Sequence, residues 1–181
     1  LLTPAIVLPM LALGIFAYVQ LKETAEQKTL GQMSTLLRQI RLQTDSYIDT
    51  AKSNITLFSN DTLVKRYMLE DDEGERYRLL QGPLLSLLLS YQKGYPSYYE
   101  IRILLPDGYE DTRSTIDVIP NRTEEEAGTE LFSAIKSSGS ETLSTFQINA
   151  DNGKYAFFVS KPIKIKDPAI DPILAEPKLR G

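Results

Sequence analysis

The residues with the most evident chemistry in this sequence are arginines and tyrosines that fall on predicted β-strands. Four of them are candidate ligand-binding residues: Tyr98, Arg102, Arg113 and Tyr155. A charged side chain that faces the inside of a domain is costly unless it meets a ligand or a partner group. Because a guanidinium group forms a planar fork that matches a carboxylate, the pattern predicts a site for a small anion, most readily a carboxylate. The alternative is that these side chains are exposed or form salt bridges within the protein.

The composition excludes most catalytic chemistry. The 181 residues include no cysteine and no histidine, which excludes a Ser-His-Asp triad, a thiolate or HExxH zinc site and a cysteine nucleophile within this chain. Glu110 and Asp111 are a possible acid-base pair, but neighbours on a strand point to opposite faces, so we interpret them as exposed hairpin charges. We therefore predict that this segment is not an enzyme and that it uses no cofactor and no metal.

The charge distribution divides the chain into an apolar head, an acidic body and a short tail. Residues 1–21 carry no charge, residues 22–160 carry 15 basic and 21 acidic side chains (15 − 21 = −6), and residues 161–181 carry five and three (5 − 3 = +2). The overall net charge of −4 argues against nucleic acid as a partner, because nucleic-acid-binding domains normally have a basic excess.

The apolar head is predicted to span a membrane. The only polar side chains of residues 1–21 are Thr3, Tyr18 and Gln20. About 20 helical residues at 1.5 Å per residue cross a hydrocarbon core of about 30 Å. Tyr18 and Lys22 stand where interfacial anchors are expected. A cleaved signal peptide and a buried core helix are the alternatives for the same run.

Residues 22–58 are predicted to form a long helix that continues from this span. They contain no proline and one glycine, Gly31. Apolar side chains recur at the three-four spacing of a heptad stripe: Leu30, Met33, Leu37, Ile40, Tyr47, Ala51 and Phe58. The stripe predicts a stalk through which two copies form a parallel homodimer. A monomeric amphipathic helix packed on its own domain is the alternative.

Residues 59–165 are predicted to form an α+β domain. Asn60 or Asp61 caps a short helix that ends at Leu69, and a leucine-rich helix follows over residues 76–91, kinked or divided at Gly82-Pro83. Two antiparallel hairpins are then predicted from four alternating segments, at residues 98–105, 109–113, 141–148 and 154–160. Thr123 caps a helix between the hairpins. Helices followed by hairpins are typical of an α+β fold with an antiparallel sheet.

The end of the chain is predicted to lack regular structure. Residues 166–181 are rich in proline, which cannot donate a hydrogen bond to a sheet. We therefore interpret them as the tail of a truncated chain, in which a fifth strand is missing.

Alternation assigns the strand residues to two faces without saying which face is buried. Ile101, Ile103 and Leu105 form an aliphatic face that we expect to cover the helices. The opposite face carries Tyr98, Glu100 and Arg102, and on the last strand one face is shared by Tyr155, Phe157 and Val159. The loop 114–123 is expected to close a concave site over this polar and aromatic face.

Two segments resemble those of the Cache family, the extracytoplasmic sensor domains of bacterial transmembrane receptors. The resemblance lies in the order of the elements and in the segments YYEIRILLPDGYEDTR and GKYAFFVSKPIK. It implies the membrane-distal half of a double Cache domain, with a PAS-like sheet and a long N-terminal helix that often dimerises. The sequence departs from the family in lacking the fifth strand, the membrane-proximal half and the Arg-x-Trp-Tyr pattern of the branch that binds amino acids.

This resemblance implies a function in signal transduction. We expect an extracytoplasmic ligand-sensing module anchored in the inner membrane, with residues 22–181 in the periplasm. Its expected ligand is a small molecule such as a carboxylate. The output domain is expected downstream, as a diguanylate cyclase, a histidine kinase or a chemoreceptor signalling domain. The alternative is a membrane-tethered module for dimerisation or interaction, without a small-molecule ligand.

Overall fold

The structure is a computed structural model that describes residues 2–116, 125–139, 141–166 and 178–181, with side chains from residue 10 onward except at residue 12. It is an α+β protein, as predicted, and divides into an N-terminal unit (residues 1–47) and a C-terminal unit (residues 48–181). The helices are α1 (Leu2–Asn60), α2 (Thr62–Leu69), α3 (Glu73–Glu75), a π-helix (Arg76–Gln81), α4 (Gly82–Gly94) and α5 (Glu130–Ser137). The strands are β1 (Glu100–Leu104), β2 (Glu110–Thr115), β3 (Leu143–Ile148), β4 (Tyr155–Ser160), β5 (Lys164–Ile165) and β6 (Lys178–Leu179).

The long helix α1 confirms the predicted helix over residues 22–58 and ends at the predicted break. Its heptad stripe is exposed from Leu30 to Tyr47, where the side chains of Leu30, Met33, Leu37, Ile40 and Tyr47 are 56–66% accessible, whereas Phe58 at the end of the stripe is buried in the core. In the part of the chain that the structure describes, no helix has both the length and the hydropathy to cross a bilayer. The predicted span covers residues 1–21, and the side chains of residues 1–9 and 12 lie outside the described part.

Local sequence signals explain where α2 begins and why the helical turn before α4 is irregular. Asp61 is the N-cap of α2, and its carboxylate accepts a hydrogen bond of 2.7 Å from the Leu63 N–H. The predicted kink at Gly82-Pro83 takes the form of a π-helix that directly precedes α4. The physical reason is that Pro83 has no N–H and its ring crowds the carbonyl of Leu79, so the preceding turn widens.

The first hairpin pairs β1 with β2 in an antiparallel register that sets Arg102 directly opposite Arg113. Its turn depends on Gly108, which has a φ of +97° and fits closely against the backbone of Ala127. A Cβ atom at Gly108 would lie 2.6 Å from the Ala127 nitrogen. The register shifts between Ile103 and Leu104, which marks a β-bulge next to the turn.

The core of the C-terminal unit lies between this hairpin and the helices. Its buried members come from α1, α2, the π-helix, α4, β1 and the segment 163–165, and they include Val64, Tyr67, Leu84, Leu88 and Ile103. Ile101 and Leu105 pack against the same cluster. The prediction that the aliphatic face of the first strand covers the helices is therefore confirmed, which leaves the face with Glu100 and Arg102 on the other side.

The second hairpin, β3–β4, follows α5, and the cap of α5 corrects the sequence prediction. Thr129 is the N-cap, and its hydroxyl accepts a hydrogen bond of 3.2 Å from the Phe132 N–H. Thr123, the predicted cap, lies outside the described residues. Glu126, its expected capping-box partner, instead directs its carboxylate to Arg102. The capping-box pattern was wrong here because a long-range ion pair takes the glutamate that the local motif requires.

The prediction that residues 166–181 lack regular structure is wrong for Lys178–Leu179. Lys164–Ile165 form β5, which pairs with Lys178–Leu179 as β6, and the Arg180 N–H donates to the Ile163 carbonyl at 2.9 Å. The prolines flank these short strands without occupying them, so the backbone donors remain intact. The described strands pair as three two-stranded antiparallel sheets, and the continuous PAS-like sheet stays a prediction.

Candidate functional site

Six charged side chains meet on the polar face of the first hairpin. We call them the arginine–carboxylate cluster: Arg102, Arg113, Glu100, Glu110, Glu126 and Asp151. They come from β1, β2, the segment before α5 and the turn between β3 and β4. The accessible fraction of their side chains is between 1% and 15%. The cluster is thus a nearly buried site assembled from four parts of the chain.

Each arginine in the cluster is bonded to carboxylates. Arg102 lies 2.8 Å from Glu100 through Nε, and its Nη1 is 3.0 Å from Glu126 and 3.5 Å from Glu110. Arg113 lies 3.1 Å from Glu100 through Nε and 3.2 Å from Asp151 through Nη2. Like charges directly opposite each other on paired strands repel. Glu100, which contacts both guanidinium groups, offsets this repulsion.

The turn between β3 and β4 closes the cluster. Asn149 is almost fully buried, and its amide donates to the Tyr99 hydroxyl at 2.9 Å and to Glu100 at 3.1 Å. Its side-chain oxygen accepts a hydrogen bond of 2.8 Å from the Asp151 N–H, an Asx-type turn that directs Asp151 toward Arg113. These polar contacts attach the second hairpin to the first.

The cluster carries more negative than positive charge. Four carboxylates and two guanidinium groups sum to −2 (2 − 4 = −2) when all are ionised. Burial raises the pKa of Glu110 above its ordinary value, against the opposing effect of Arg102 and Arg113. Burial alone would lower the pKa of Arg102, but the adjacent carboxylates raise it above the ordinary arginine value. Arg102 therefore stays charged, and burial favours proton uptake at Glu110.

The structure brings together two of the four predicted site residues. Arg102 and Arg113 both lie in the cluster. The Tyr98 hydroxyl instead accepts a hydrogen bond of 3.0 Å from the Asn54 amide, and its ring stacks on that of Tyr95. Tyr155 is 69% accessible on the second hairpin and lies outside the cluster. In the predicted covering loop, 114–123, Ser114 and Thr115 instead belong to β2, and residues 117–123 lie outside the described part of the chain.

Tyr155 belongs to an exposed apolar face of the second hairpin. The register places Phe146 opposite Phe157 and Ile148 opposite Tyr155. The Phe146 ring contacts both aromatic neighbours, with centroid distances of 5.3 Å to Tyr155 and 4.7 Å to Phe157. We call these four residues the aromatic face, and 51–69% of each is accessible. The predicted sharing of one face by Tyr155 and Phe157 is confirmed.

The interpretation of Glu110 and Asp111 as exposed hairpin charges is wrong. Asp111 has no accessible side-chain surface and accepts hydrogen bonds from Arg76 at 3.0 Å and from the Tyr77 hydroxyl at 3.1 Å. The Arg76 guanidinium also lies over the rings of Tyr67 and Tyr77. Burial and the neighbouring carboxylate raise the pKa of Tyr67 well above its ordinary value. Glu110 and Asp111 do point to opposite faces of β2, but other parts of the protein cover both faces.

The sequence reading missed the residues that complete the cluster. The local pattern predicts a helix cap for Glu126, and Asp151-Asn152-Gly153 predicts a turn without indicating a role for Asn149. The available signal was the spacing Asn-x-Asp before that turn, which favours an Asx turn with an inward carboxylate. Within the described residues, no group of three or more acidic side chains is arranged to hold a metal ion.

No family model, no curated protein and no solved structure matches this chain. Its function is therefore inferred from its sequence pattern and from the geometry of the cluster. Two properties of that geometry matter most. One is the pair of opposed arginines, and the other is the attachment of the second hairpin through the same guanidinium groups.

Proposed function

We propose that this chain is an extracytoplasmic ligand-sensing module of a bacterial membrane receptor. Residues 1–21 would anchor it in the inner membrane, and residues 22–181 would lie outside the cytoplasm. The observation that carries the proposal is the opposed pair Arg102 and Arg113, held on one face of a hairpin by carboxylates from distant segments. Such a pair can exchange an internal carboxylate for that of a ligand.

The exchange has a defined structural consequence. Glu126 reaches Arg102 from the segment before α5, and Asp151 reaches Arg113 from the turn of the second hairpin. A ligand carboxylate that forms the bidentate pair with either arginine displaces one of these contacts. The displaced segment then loses an attachment to the first hairpin. Binding is thereby coupled to the position of a hairpin or a loop, which is what a sensing module requires.

The membrane anchor is supported by the sequence. The uncharged run of residues 1–21 precedes a body that is acidic and free of cysteine. The same helix, α1, continues without interruption to Asn60. A continuous helix is a suitable element for passing a conformational change toward a membrane, because its backbone hydrogen bonds resist local bending. The Cache resemblance supports the same arrangement.

Ligand binding can be tested by thermal unfolding of the purified chain with a panel of small carboxylates. A true ligand at 100 times its dissociation constant should raise the free energy of unfolding by about 2.7 kcal/mol. Arg102→Lys keeps the charge but loses the planar fork, so it should weaken binding while preserving the ion pairs in part. Arg78→Gln is the matched control, since Arg78 is exposed and pairs with Glu75, three positions away. If the ligand stabilised the parent and Arg102→Lys equally, we would conclude that the cluster is not the binding site.

The topology can be tested by reporter fusions after residue 161. A reporter that is active only in the periplasm should give signal, and a reporter that is active only in the cytoplasm should give none. The reverse result would show that the body is cytoplasmic, and the sensing proposal would then be withdrawn.

The alternative is a membrane-tethered interaction module without a small-molecule ligand. Two observations favour it: both arginines already have carboxylate partners, and the heptad stripe from Leu30 to Tyr47 and the aromatic face are exposed. Exposed apolar surface of this kind often marks a protein interface. The two proposals differ in one readout, because the interaction module should associate equally with and without carboxylates. A thermal shift with any member of the ligand panel would favour the sensing module.

A further inference from the structure

A cleft of about 310 Å³ lies in the C-terminal unit and shares no residue with the arginine–carboxylate cluster. Its walls come from the end of α2 with the turn after it, the start of the π-helix, the end of the β1 segment and residues 178–180. This volume is at the lower end of the range of small-molecule sites, about 300–1,000 Å³. The cleft is therefore large enough for a short organic ligand.

One part of the cleft is apolar. Met68, Leu105 and Pro106 contribute to its lining. Met68 also belongs to the core cluster, and Leu105 packs against that cluster, so these side chains are held in place. A hydrocarbon group that contacts them leaves water, at a gain of about 0.8 kcal/mol for each methylene group.

The other part of the cleft is charged. Arg76, Lys178 and Arg180 line it together with two acids, Glu70 and Asp71, so the lining residues sum to +1 (3 − 2 = +1), and Asp111, outside the lining, neutralises Arg76. Arg180 lies 3.0 Å from Asp71, whose side chain is 84% accessible. That exposed pair is weak, because water competes for both partners. Arg180 can therefore turn to a ligand anion at little cost.

Arg76 supplies a fixed donor at the same place. Its side chain is held by Asp111 and by the rings of Tyr67 and Tyr77. Among the described residues, its buried Nε has no hydrogen-bond acceptor. A ligand in the cleft meets the accessible part of the Arg76 side chain, which is 13% of it, so Arg76 contributes a nearby guanidinium group rather than a bond from this buried nitrogen.

We propose that this cleft binds a short aliphatic monocarboxylate, with the hydrocarbon chain on Met68, Leu105 and Pro106 and the carboxylate toward Arg76 and Arg180. The proposal goes beyond the sensing function and does not depend on it, since none of these residues belongs to the cluster. A simple inorganic anion would not use the apolar lining, and a neutral or cationic chain would not use the arginines.

The test is isothermal titration of the full chain with butyrate, hexanoate and the neutral analogue hexanamide. Each added methylene group should tighten binding about fourfold, so hexanoate should bind roughly 15-fold more tightly than butyrate. Hexanamide should bind at least tenfold more weakly than hexanoate, because it lacks the charge that the arginines meet. Equal affinities for hexanoate and hexanamide, or for butyrate and hexanoate, would overturn the proposal, as would the absence of saturable hexanoate binding.

Variants locate the site. Arg180→Gln should weaken hexanoate binding at least tenfold, and Lys154→Gln, which removes an exposed lysine outside the cleft, should leave it unchanged. Arg102→Lys should also leave it unchanged. Loss of binding in Arg102→Lys but not in Arg180→Gln would overturn the cleft proposal and support ligand binding at the cluster. Unchanged hexanoate binding by Arg180→Gln would likewise refute the cleft proposal, whether or not Arg102→Lys changes the binding.

Discussion

Replacing Arg113 with glutamine should strongly destabilise the C-terminal unit. The Arg113 side chain is 11% accessible, and it bonds Glu100 at 3.1 Å and Asp151 at 3.2 Å. Glutamine keeps much of the volume but cannot offer a charged fork to two carboxylates at once. The substitution also changes the net charge of the cluster from −2 to −3, so the remaining carboxylates repel one another more strongly.

The expected magnitude follows from the contacts that are lost. Two hydrogen bonds to charged groups disappear, at about 1.5–3 kcal/mol each. Removing one partner of a buried ion pair typically costs about 3–5 kcal/mol, because the other partner stays buried without compensation. We therefore expect the free energy of unfolding to fall by about 3–5 kcal/mol. For a chain of this size, that corresponds to a decrease in Tm of roughly 6–20 °C.

Urea unfolding followed by circular dichroism provides the measurement, with Arg78→Gln as the control. Arg78 is 69% accessible and pairs with Glu75 at 3.6 Å, so its loss should cost less than about 1 kcal/mol. If Arg113→Gln costs no more than Arg78→Gln, the cluster contributes little to stability and the reasoning from burial and charge is refuted.

The surplus negative charge of the cluster predicts that neutralising Glu110, unlike neutralising Arg113, costs little stability. Glu110→Gln brings the net charge of the cluster to −1 and leaves Arg102 bonded to Glu100 and Glu126, so it should change the stability by less than about 1 kcal/mol. The pKa of Glu110 is raised by burial, so the folded protein holds this proton more tightly than the unfolded chain. Its contribution to the free energy of unfolding therefore decreases as the pH rises through the raised pKa. Glu110→Gln should remove that decrease, and an unchanged pH profile would contradict the assignment.

Three further predictions concern other parts of the chain. A cysteine at Leu37 should cross-link two copies in membranes and one at Gln39 should do so poorly; equal yields would favour a monomeric helix. Tyr67→Phe should reduce the loss of stability above about pH 10, since a raised pKa keeps the folded tyrosine protonated where the unfolded one ionises; an alkaline slope equal to that of the parent would argue against it. Gly108→Ala should destabilise by several kcal/mol, because φ is +97° and the new Cβ meets the backbone of Ala127 at 2.6 Å; near-parent stability in urea would show that the turn relaxes.

The sequence by itself determined the local elements. Asp61 stops α1 and caps α2 because a short acidic side chain accepts from the first free N–H groups of a helix. Pro83 specifies the irregular turn before α4 because it lacks a donor. The alternation of Ile101 and Ile103 identifies the helix-facing side of β1 because strand side chains have a period of two. Each of these signals acts within a few residues, so the linear order is enough to reveal it.

Tertiary structure alone decided which charges meet. Arg102 reaches Glu126 across 24 positions, Arg113 reaches Asp151 across 38, and Asn149 reaches the Tyr99 hydroxyl across 50. No periodicity links residues at such separations, because chain packing and not local geometry sets their distances. The burial of Asp111 against Arg76 has the same origin, 35 positions apart. An alternating pattern labels two faces of a strand, but only the docking of the second hairpin and the helices determines what covers each one.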